Sequence, residues 1–308
     1  MIILLKNRCR PITAAYSERR YMMTSSTFDF YFTEMDTYLE LRDLSPNTRK
    51  NYHSHLNAYF TWISETLAVS PAEATYEHIR SYLIHLKKIR KLSHHSINAH
   101  SSTIRFFRIY ILKQGWSDYE VPRMKYRTKL PFVPSKEETL NFIESIPNLK
   151  HKAFIVLLYS AGLRISEACA LRYEDIQRKD LRIFIRCTKN RSDRYAVLSE
   201  NALQILTDYW KTHGKPRGWL FPGPKPDSHI SKETGSRYIK NHLERIKCLH
   251  PITAHTFRHA YATHLYEMGT DLVALKNLLG HKSLNSTLLY VHLARTSTNN
   301  IISPFDVR

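Results

Sequence analysis

Residues 122–134 read Pro-Arg-Met-Lys-Tyr-Arg-Thr-Lys-Leu-Pro-Phe-Val-Pro, and they divide the chain into two parts. The stretch combines three prolines with several basic residues, and its apolar residues follow neither a helical nor a strand period. Such a composition is typical of an extended linker. Because 308 residues exceed the usual size of a single domain, we predict one domain on each side of the linker.

The part before the linker, residues 27–121, is predicted to be a bundle of helices. Ser45 and Pro46 read as an N-cap and a first helical position, and apolar residues then recur at helical spacing from Tyr52 to Ile63. The remaining helix boundaries are predicted at Ser70-Pro71, Ser93 and Gly115.

The polar faces of these helices carry Lys, Arg, Ser and His rather than mixed Lys and Glu. The whole chain has 46 Lys and Arg against 27 Asp and Glu, a formal net charge of +19. This excess indicates a polyanionic partner, either nucleic acid or an anionic membrane, although no apolar run approaches the roughly 20 residues of a spanning helix. A merely solvated basic face is the alternative. The candidate DNA-binding residues are Arg49, Lys50, Lys87, Lys88, Arg105 and Arg108.

Residues 1–26 are predicted to be a basic and disordered extension. Their apolar run is too short for a secretory signal, and alternative starts at Met22 or Met23 or an organelle transit peptide remain open. The cysteines are scattered without the spacing of a zinc site or a disulfide framework, so we expect a reducing, cytoplasmic location.

The part after the linker, residues 135–308, is predicted to be mainly helical with a small β-sheet. Ser135 and Glu138 form a capping-box pattern that starts a helix. The stretch from Leu181 to Leu198 alternates as two strands around a polar turn, which predicts a β-hairpin.

Two arginines of this part lie in distinctive contexts. Arg164 follows a glycine between two helical patterns, in Ala161-Gly-Leu-Arg-Ile-Ser-Glu167. Taken alone, it is better explained by a structural ion pair with Glu167. His255 and Arg258 lie three residues apart at the start of a predicted helix, so they share a face and could bind an anion. A capping histidine or a zinc pair with His259 are the alternatives, and zinc has no evident third ligand.

The sequence Leu-Leu-Gly-His ends a further predicted helix at His281, and Tyr290 follows within the next one. A single tyrosine among 19 would by itself be read as an ordinary packing residue. The ordered set of elements changes that interpretation: Arg164, Lys189 in the hairpin turn, His255, Arg258, His281 and Tyr290.

Together these elements resemble the catalytic pattern of the tyrosine recombinases, the phage integrase family. The resemblance extends through the linker to the helical part, which is similar to the family's SAM-like core-binding domain. It departs at the hairpin, where Lys189 lies between Thr188 and Asn190 instead of the glycines common in the family.

The resemblance implies a DNA strand-transferring enzyme that works through a 3′-phosphotyrosine formed by Tyr290. Arg164 and Arg258 would hold the phosphate, Lys189 would protonate the leaving 5′-oxygen, His255 would assist proton transfer, His281 would donate to the phosphate, and Glu167 would support Arg164. It also implies double-stranded DNA as substrate and a homo-tetramer on synapsed DNA, with no cofactor, metal, membrane or small-molecule substrate.

Two other functions remain open at this point. The first is a DNA-binding or architectural protein of the same fold that does not cut DNA. The second is a type IB-like topoisomerase that applies the same tyrosine chemistry to a single duplex.

Overall fold

The computed structural model describes residues 26–126, 130–186, 193–225 and 227–294. They fall into two compact units, Met1–Thr128 and Lys129–Arg308, here called the N-terminal and C-terminal units. The architecture is mainly helical with one small sheet, as the sequence predicts. In these described ranges, no helix is long and apolar enough to cross a membrane.

The N-terminal unit is a helical bundle around an aromatic core. Ser45 caps its second helix by accepting a hydrogen bond from the Thr48 backbone N–H, with Pro46 at the first position, and Ser93 caps its fourth helix. These capping predictions are confirmed. The α-helices of this unit within the described residues are α1 (Ser26–Leu41), α2 (Pro46–Leu67), α3 (Tyr76–Lys88) and α4 (His94–Phe106).

Two predicted boundaries in this unit are wrong. Ser70-Pro71 starts only a short 3-10 turn, Pro71–Glu73, because Thr75 provides the capping box that starts α3. The last helix does not run to Gly115. The α-helix α4 ends at Phe106, and a π-helical turn, Phe107–Ile111, follows it directly.

The C-terminal unit is built around the apolar helix α6 (Leu149–Ser160), which packs against several other helices of the unit. The predicted capping box is confirmed, because Ser135 and Glu138 exchange hydrogen bonds at the start of the preceding helix. The other helices of this unit are α5 (Lys136–Glu144), α7 (Ile165–Cys169), α8 (Glu200–Thr212), α9 (Lys232–Arg245), α10 (Ala254–Glu267), α11 (Leu272–Leu279) and α12 (Asn285–Leu293).

The sheet of this unit has three antiparallel strands in the order β1 (Ile176–Gln177), β2 (Arg182–Ile185) and β3 (Arg194–Val197). The predicted hairpin is confirmed as the pairing of β2 with β3, with Phe184 opposite Tyr195. The two-residue strand β1 was not predicted, because so short a segment carries no readable alternation. Strand β3 packs against α11, which brings Arg194 next to the end of that helix.

Candidate active site

The site begins where α6 ends. Gly162 adopts a φ of +60°, and a Cβ at this position would come within 2.3 Å of the Tyr261 ring, so the turn requires glycine for both its conformation and its space. The chain then restarts as α7 with Arg164 at its N-cap. The glycine turn therefore places Arg164 just after the end of the buried helix α6.

Glu167 holds Arg164 in place. One carboxylate oxygen accepts from Arg164 Nη1 at 2.7 Å, and the other accepts from the Arg164 backbone N–H at 2.9 Å. The ion pair considered from the sequence is therefore present. The same carboxylate accepts from Arg194 Nη2 at 2.7 Å and lies 3.9 Å from Arg258 Nη1. With 5% of its side chain exposed, Glu167 is surrounded by the guanidinium groups of these arginines.

Arg258 is the most deeply buried of them, with 4% of its side chain exposed. It lies in the second turn of α10 and donates from Nη1 to the Gly162 carbonyl and from Nη2 to the Leu279 carbonyl, both at 2.5 Å. Burial, together with the charge of Arg164, lowers the Arg258 pKa to about 10. The guanidinium is thus a fixed cation that ties α10 to the ends of α6 and α11.

The end of α11 presents His281. Gly280 closes the helix with a φ of +63°, and its carbonyl accepts from Arg164 Nη2 at 3.3 Å. His281 Nδ1 lies 3.0 Å from the hydroxyl of Thr287, which is fully buried in α12. Burial and the nearby arginines lower the His281 pKa to about 4, so this imidazole is neutral at pH 7.

Tyr290 lies in α12 beside this loop. The residue is 2% exposed, and its ring stacks nearly parallel to that of His281, with centroids 6.3 Å apart. The centroid of the His259 ring lies 5.8 Å from that of Tyr290, with the two planes tilted by 51°. Burial raises the Tyr290 pKa, and the charges of Arg258 and Arg164 oppose that rise. These arginines would therefore stabilise a developing phenolate.

His255 occupies the first turn of α10 and is exposed, one turn before His259. The rings of the two histidines are 6.3 Å apart. Within the described part of the chain, no group of three or more His, Cys, Asp or Glu side chains could hold a metal ion.

The predicted residue Lys189 lies among residues 187–192, outside the described part of the chain, so its role stays a prediction. The structure thus brings together Arg164, Glu167, Arg258, His281 and Tyr290, with His255 at the start of the same helix as Arg258.

The predicted DNA-binding residues of the N-terminal unit fall into two groups. Lys50, Lys87 and Lys88 are exposed. The arginines are used within the unit. Arg49 donates to the Leu44 carbonyl, Arg105 pairs with Asp118, and Arg108 donates to the Gly115 and Ala74 carbonyls while its guanidinium covers the Tyr76 ring. The phosphate contacts predicted for all six residues stay predictions.

Sequence reasoning missed Arg194, His259 and Thr287 as members of the site. Arg194 lies in a strand, and the sequence of a strand does not indicate contact with a helix end far along the chain. Thr287 lies six residues after His281 and three before Tyr290, and a hydroxyl residue between two predicted site residues was the available signal.

Comparison with known proteins gives consistent results for both units. Residues 135–297 match the phage integrase family, and residues 31–118 match the phage integrase N-terminal SAM-like domain. An integrase/recombinase of Sinorhizobium fredii is 35% identical over 272 residues, which cover 87% of this chain and 86% of the relative. The tyrosine recombinase XerA of Pyrococcus horikoshii is 30% identical over 262 residues, covering 83% of this chain and 87% of that protein.

Solved structures share the fold. The XerH site-specific recombinase bound to its difH substrate, in a pre-cleavage complex, superposes with a TM-score of 0.66 at 20% identity, covering 85% of this chain and 82% of that one. The Tn1549 transposon integrase in complex with transposon right end DNA gives a TM-score of 0.64 at 20% identity, covering 84% and 94%.

Proposed function

The chain belongs to the phage integrase family, the tyrosine recombinases, and from this premise we propose that it cleaves and rejoins DNA with Tyr290 as the nucleophile. Membership makes it a DNA breaking-and-rejoining enzyme, a site-specific recombinase. The observation that carries the residue assignment is the convergence of Tyr290, His281, Arg164 and Arg258 at the joined ends of α6 and α11.

The two arginines would supply the electrostatic part of the catalysis. Transesterification at a phosphodiester builds negative charge on the non-bridging oxygens, and guanidinium groups that are already fixed need little reorganisation to bind that charge. Arg164 and Arg258 are fixed by a carboxylate and by three backbone carbonyls. By analogy with oxyanion-hole donors, each would lower the barrier by roughly 3–4 kcal/mol.

In the proposed step, the Tyr290 oxygen attacks phosphorus and the bond from phosphorus to the 5′-oxygen breaks. The products are a 3′-phosphotyrosine and a free 5′-hydroxyl, so the bond energy is stored and rejoining requires no ATP. We assign removal of the phenol proton to His255 and protonation of the leaving oxygen to Lys189. In the reverse step, the 5′-hydroxyl of a partner strand attacks the phosphotyrosine and releases Tyr290.

His281 would act as a neutral hydrogen-bond donor. Its pKa of about 4 leaves one proton on the ring at neutral pH. We assign the Thr287 hydroxyl as the donor to Nδ1, which would put that proton on Nε2, where it can be donated to a phosphate oxygen.

Double-stranded DNA is the proposed partner. The relatives named as recombinases and the neighbours solved with difH and transposon-end DNA support this, as does the formal charge of +19. Exposed Lys50, Lys87 and Lys88 are the proposed phosphate contacts of the N-terminal unit. Because strand exchange needs two duplexes cut in sequence, we further propose that the enzyme acts as a homo-tetramer on synapsed DNA.

The test is covalent trapping. Wild type and Tyr290→Phe are incubated with nicked suicide duplexes from DNA flanking the gene, and the products are separated on a denaturing gel. We expect a shifted covalent species for wild type alone. Bound duplexes that never become covalently attached would instead support a DNA-binding protein that does not cut. Relaxation of supercoiled plasmids that lack any recombination site would favour the topoisomerase.

A further inference from the structure

Arg194, the first residue of β3, is an unusual buried cation. Its side chain is 8% exposed, and its Nη2 donates to the Glu167 carboxylate. Among the described residues, its Nε and Nη1 have no partner although both atoms are buried. Burial lowers the Arg194 pKa, and Glu167 opposes this shift.

This arrangement is a poor way to stabilise a fold. Each buried donor left without a partner costs about 1–3 kcal/mol, and a buried ion pair can often be replaced by apolar side chains without loss of stability. An apolar residue would suit the interior next to α11 better than a half-satisfied guanidinium. The charge of Arg194 is therefore better explained by an effect on its neighbours.

The neighbour most affected is Glu167. The oxygen that accepts from Arg194 also accepts from the Arg164 backbone N–H, and it lies 3.9 Å from Arg258 Nη1, just beyond hydrogen-bond distance. Without Arg194, Arg258 is the nearest cation that could move onto this oxygen. Such a pair would neutralise a charge that the proposed reaction needs for the phosphate.

A second contact involves the loop that presents His281. A Cβ on Gly280 would lie 2.7 Å from Arg194 Nε, so the arginine packs directly on the glycine backbone. The Gly280 carbonyl accepts from Arg164. Arg194 therefore contacts the supports of both Arg164 and His281.

We propose that Arg194 is a positioning residue for DNA cleavage: it occupies Glu167 and packs on Gly280, and so keeps Arg164 oriented and Arg258 available for the phosphate. This inference rests on the proposed function. It assigns to Arg194 no contact with DNA and no proton transfer. Its distinctive consequence is that most of the damage caused by losing Arg194 should pass through the Glu167 carboxylate, the group with which Arg194 forms its ion pair.

That consequence can be tested with a double-mutant cycle of Arg194→Met, Glu167→Gln and the combined variant. Single-turnover cleavage of the trapping duplex at saturating DNA gives the rate, and titration of the same duplex gives the Kd. Arg182→Met is the matched control, because it makes the same substitution at an exposed arginine of the neighbouring strand β2. Thermal unfolding of every variant shows whether a lost rate reflects lost fold.

We expect Arg194→Met to cleave roughly 10- to 100-fold more slowly, as for a small displacement of catalytic groups, with the Kd changed by less than about threefold. Arg182→Met should cleave like wild type. The combined variant should be no slower than the slower of the two single variants, because both substitutions act through the same carboxylate, which also holds Arg164. If Arg194→Met does not fold, Arg194→Gln takes its place in the cycle.

Two results would overturn the inference. One is an unchanged cleavage rate in the Arg194 variant. The other is a combined variant whose rate loss is the product of the two single losses, since independent defects multiply. Failure of the proposed function looks different, because wild type itself would then form no covalent product.

Discussion

Two sets of cationic side chains, one in each unit, differ in how they are exposed to water. In the C-terminal unit, guanidinium groups are withdrawn from water and held by backbone carbonyls and one carboxylate. In the N-terminal unit, Lys50, Lys87 and Lys88 remain exposed. Burial of a charge is costly unless it is compensated, whereas a solvated lysine costs little and contributes modestly to each phosphate contact. The buried set therefore suits catalysis, and the exposed set suits affinity.

The strongest test of this contrast is Arg258→Lys, which keeps the charge but removes the fork. The Gly162 and Leu279 carbonyls are served by two different guanidinium nitrogens, and an ammonium group has a single nitrogen, so the cation loses its fixed position. We expect cleavage at saturating DNA to fall about 10²- to 10³-fold, as for loss of an oxyanion-hole donor, with the DNA Kd nearly unchanged.

Arg217→Lys, at an exposed arginine of the same unit, is the control for this change and should leave the cleavage rate unaffected. If Arg258→Lys instead weakened DNA binding and cleaved at the wild-type rate once saturated, Arg258 would behave like the surface lysines, and the contrast between the two sets would be lost.

The rigid frame of the buried set can be tested at Gly162. Gly162→Ala would force a Cβ against the Tyr261 ring at a φ of +60°, whereas Gly214→Ala has a φ of +75° but nothing within 4 Å of the added carbon. The left-handed conformation alone costs about 1–2 kcal/mol, and the clash should add about 1–3 kcal/mol at Gly162. Denaturant unfolding measures both free energies.

Only Gly162→Ala should also slow cleavage, because Arg164 follows directly from that turn. Equal losses of unfolding free energy in the two alanine variants would mean that the Tyr261 ring moves aside easily. The turn would then not be the rigid support that the site requires.

The sequence predicts more of the site than of its supports. The order of Arg164, His255, Arg258, His281 and Tyr290 is readable because each lies in a local motif with its own spacing. The role of Arg194 is not readable in this way, because it depends on β3 packing against the end of α11. Side chains that act through distant packing partners leave no periodic trace in the sequence.

In the fold, too, features set by neighbouring residues can be predicted from the sequence, and features set by tertiary packing cannot. Helix starts marked by a local cap, at Ser45, Ser93 and Ser135, are predicted correctly, because the hydrogen bond that defines them joins residues three apart. Arg108 illustrates the limit. Its basic character predicts a phosphate contact, but the carbonyls that it binds belong to Ala74 and Gly115, which only the tertiary structure brings to it.

The difference between exposed lysines and internal arginines predicts two separable effects in the N-terminal unit. Replacing Lys87 and Lys88 with Gln should lower the slope of log Kd against log salt by up to about 1.8, at about 0.9 per phosphate contact. The cleavage rate at saturating DNA should stay unchanged. Arg108→Met should instead lower the unfolding free energy of the unit, because two carbonyls lose their donor.

Titrations of DNA binding between about 50 and 200 mM salt check the lysine prediction, since phosphate contacts are separated from other contacts by their salt dependence. A salt slope that changes for Arg108→Met and not for the lysine pair would reverse the assignment. Arg108 would then have to break its internal hydrogen bonds in order to contact a phosphate.

The smallest expected effect concerns one neutral histidine in each unit, the half-buried His281 and the buried His100. The pKa of His281 is lowered to about 4 by burial and nearby arginines, and that of His100 to about 4 by burial and its neighbour His55. Because the unfolded chain takes up these protons near pH 6.5 and the folded chain resists them, the unfolding free energy should fall as the pH drops from about 6.5 to 4.

His281→Gln and His100→Gln should each weaken that pH dependence of the unfolding free energy, measured by denaturant unfolding across this range. Only His281→Gln should also slow cleavage at pH 7, because His100 contacts Tyr82 within the N-terminal unit and lies far in sequence from the catalytic residues. A cleavage defect of equal size in both variants would mean that His100 of the N-terminal unit also contributes to catalysis. Catalysis would then not depend on the C-terminal unit alone.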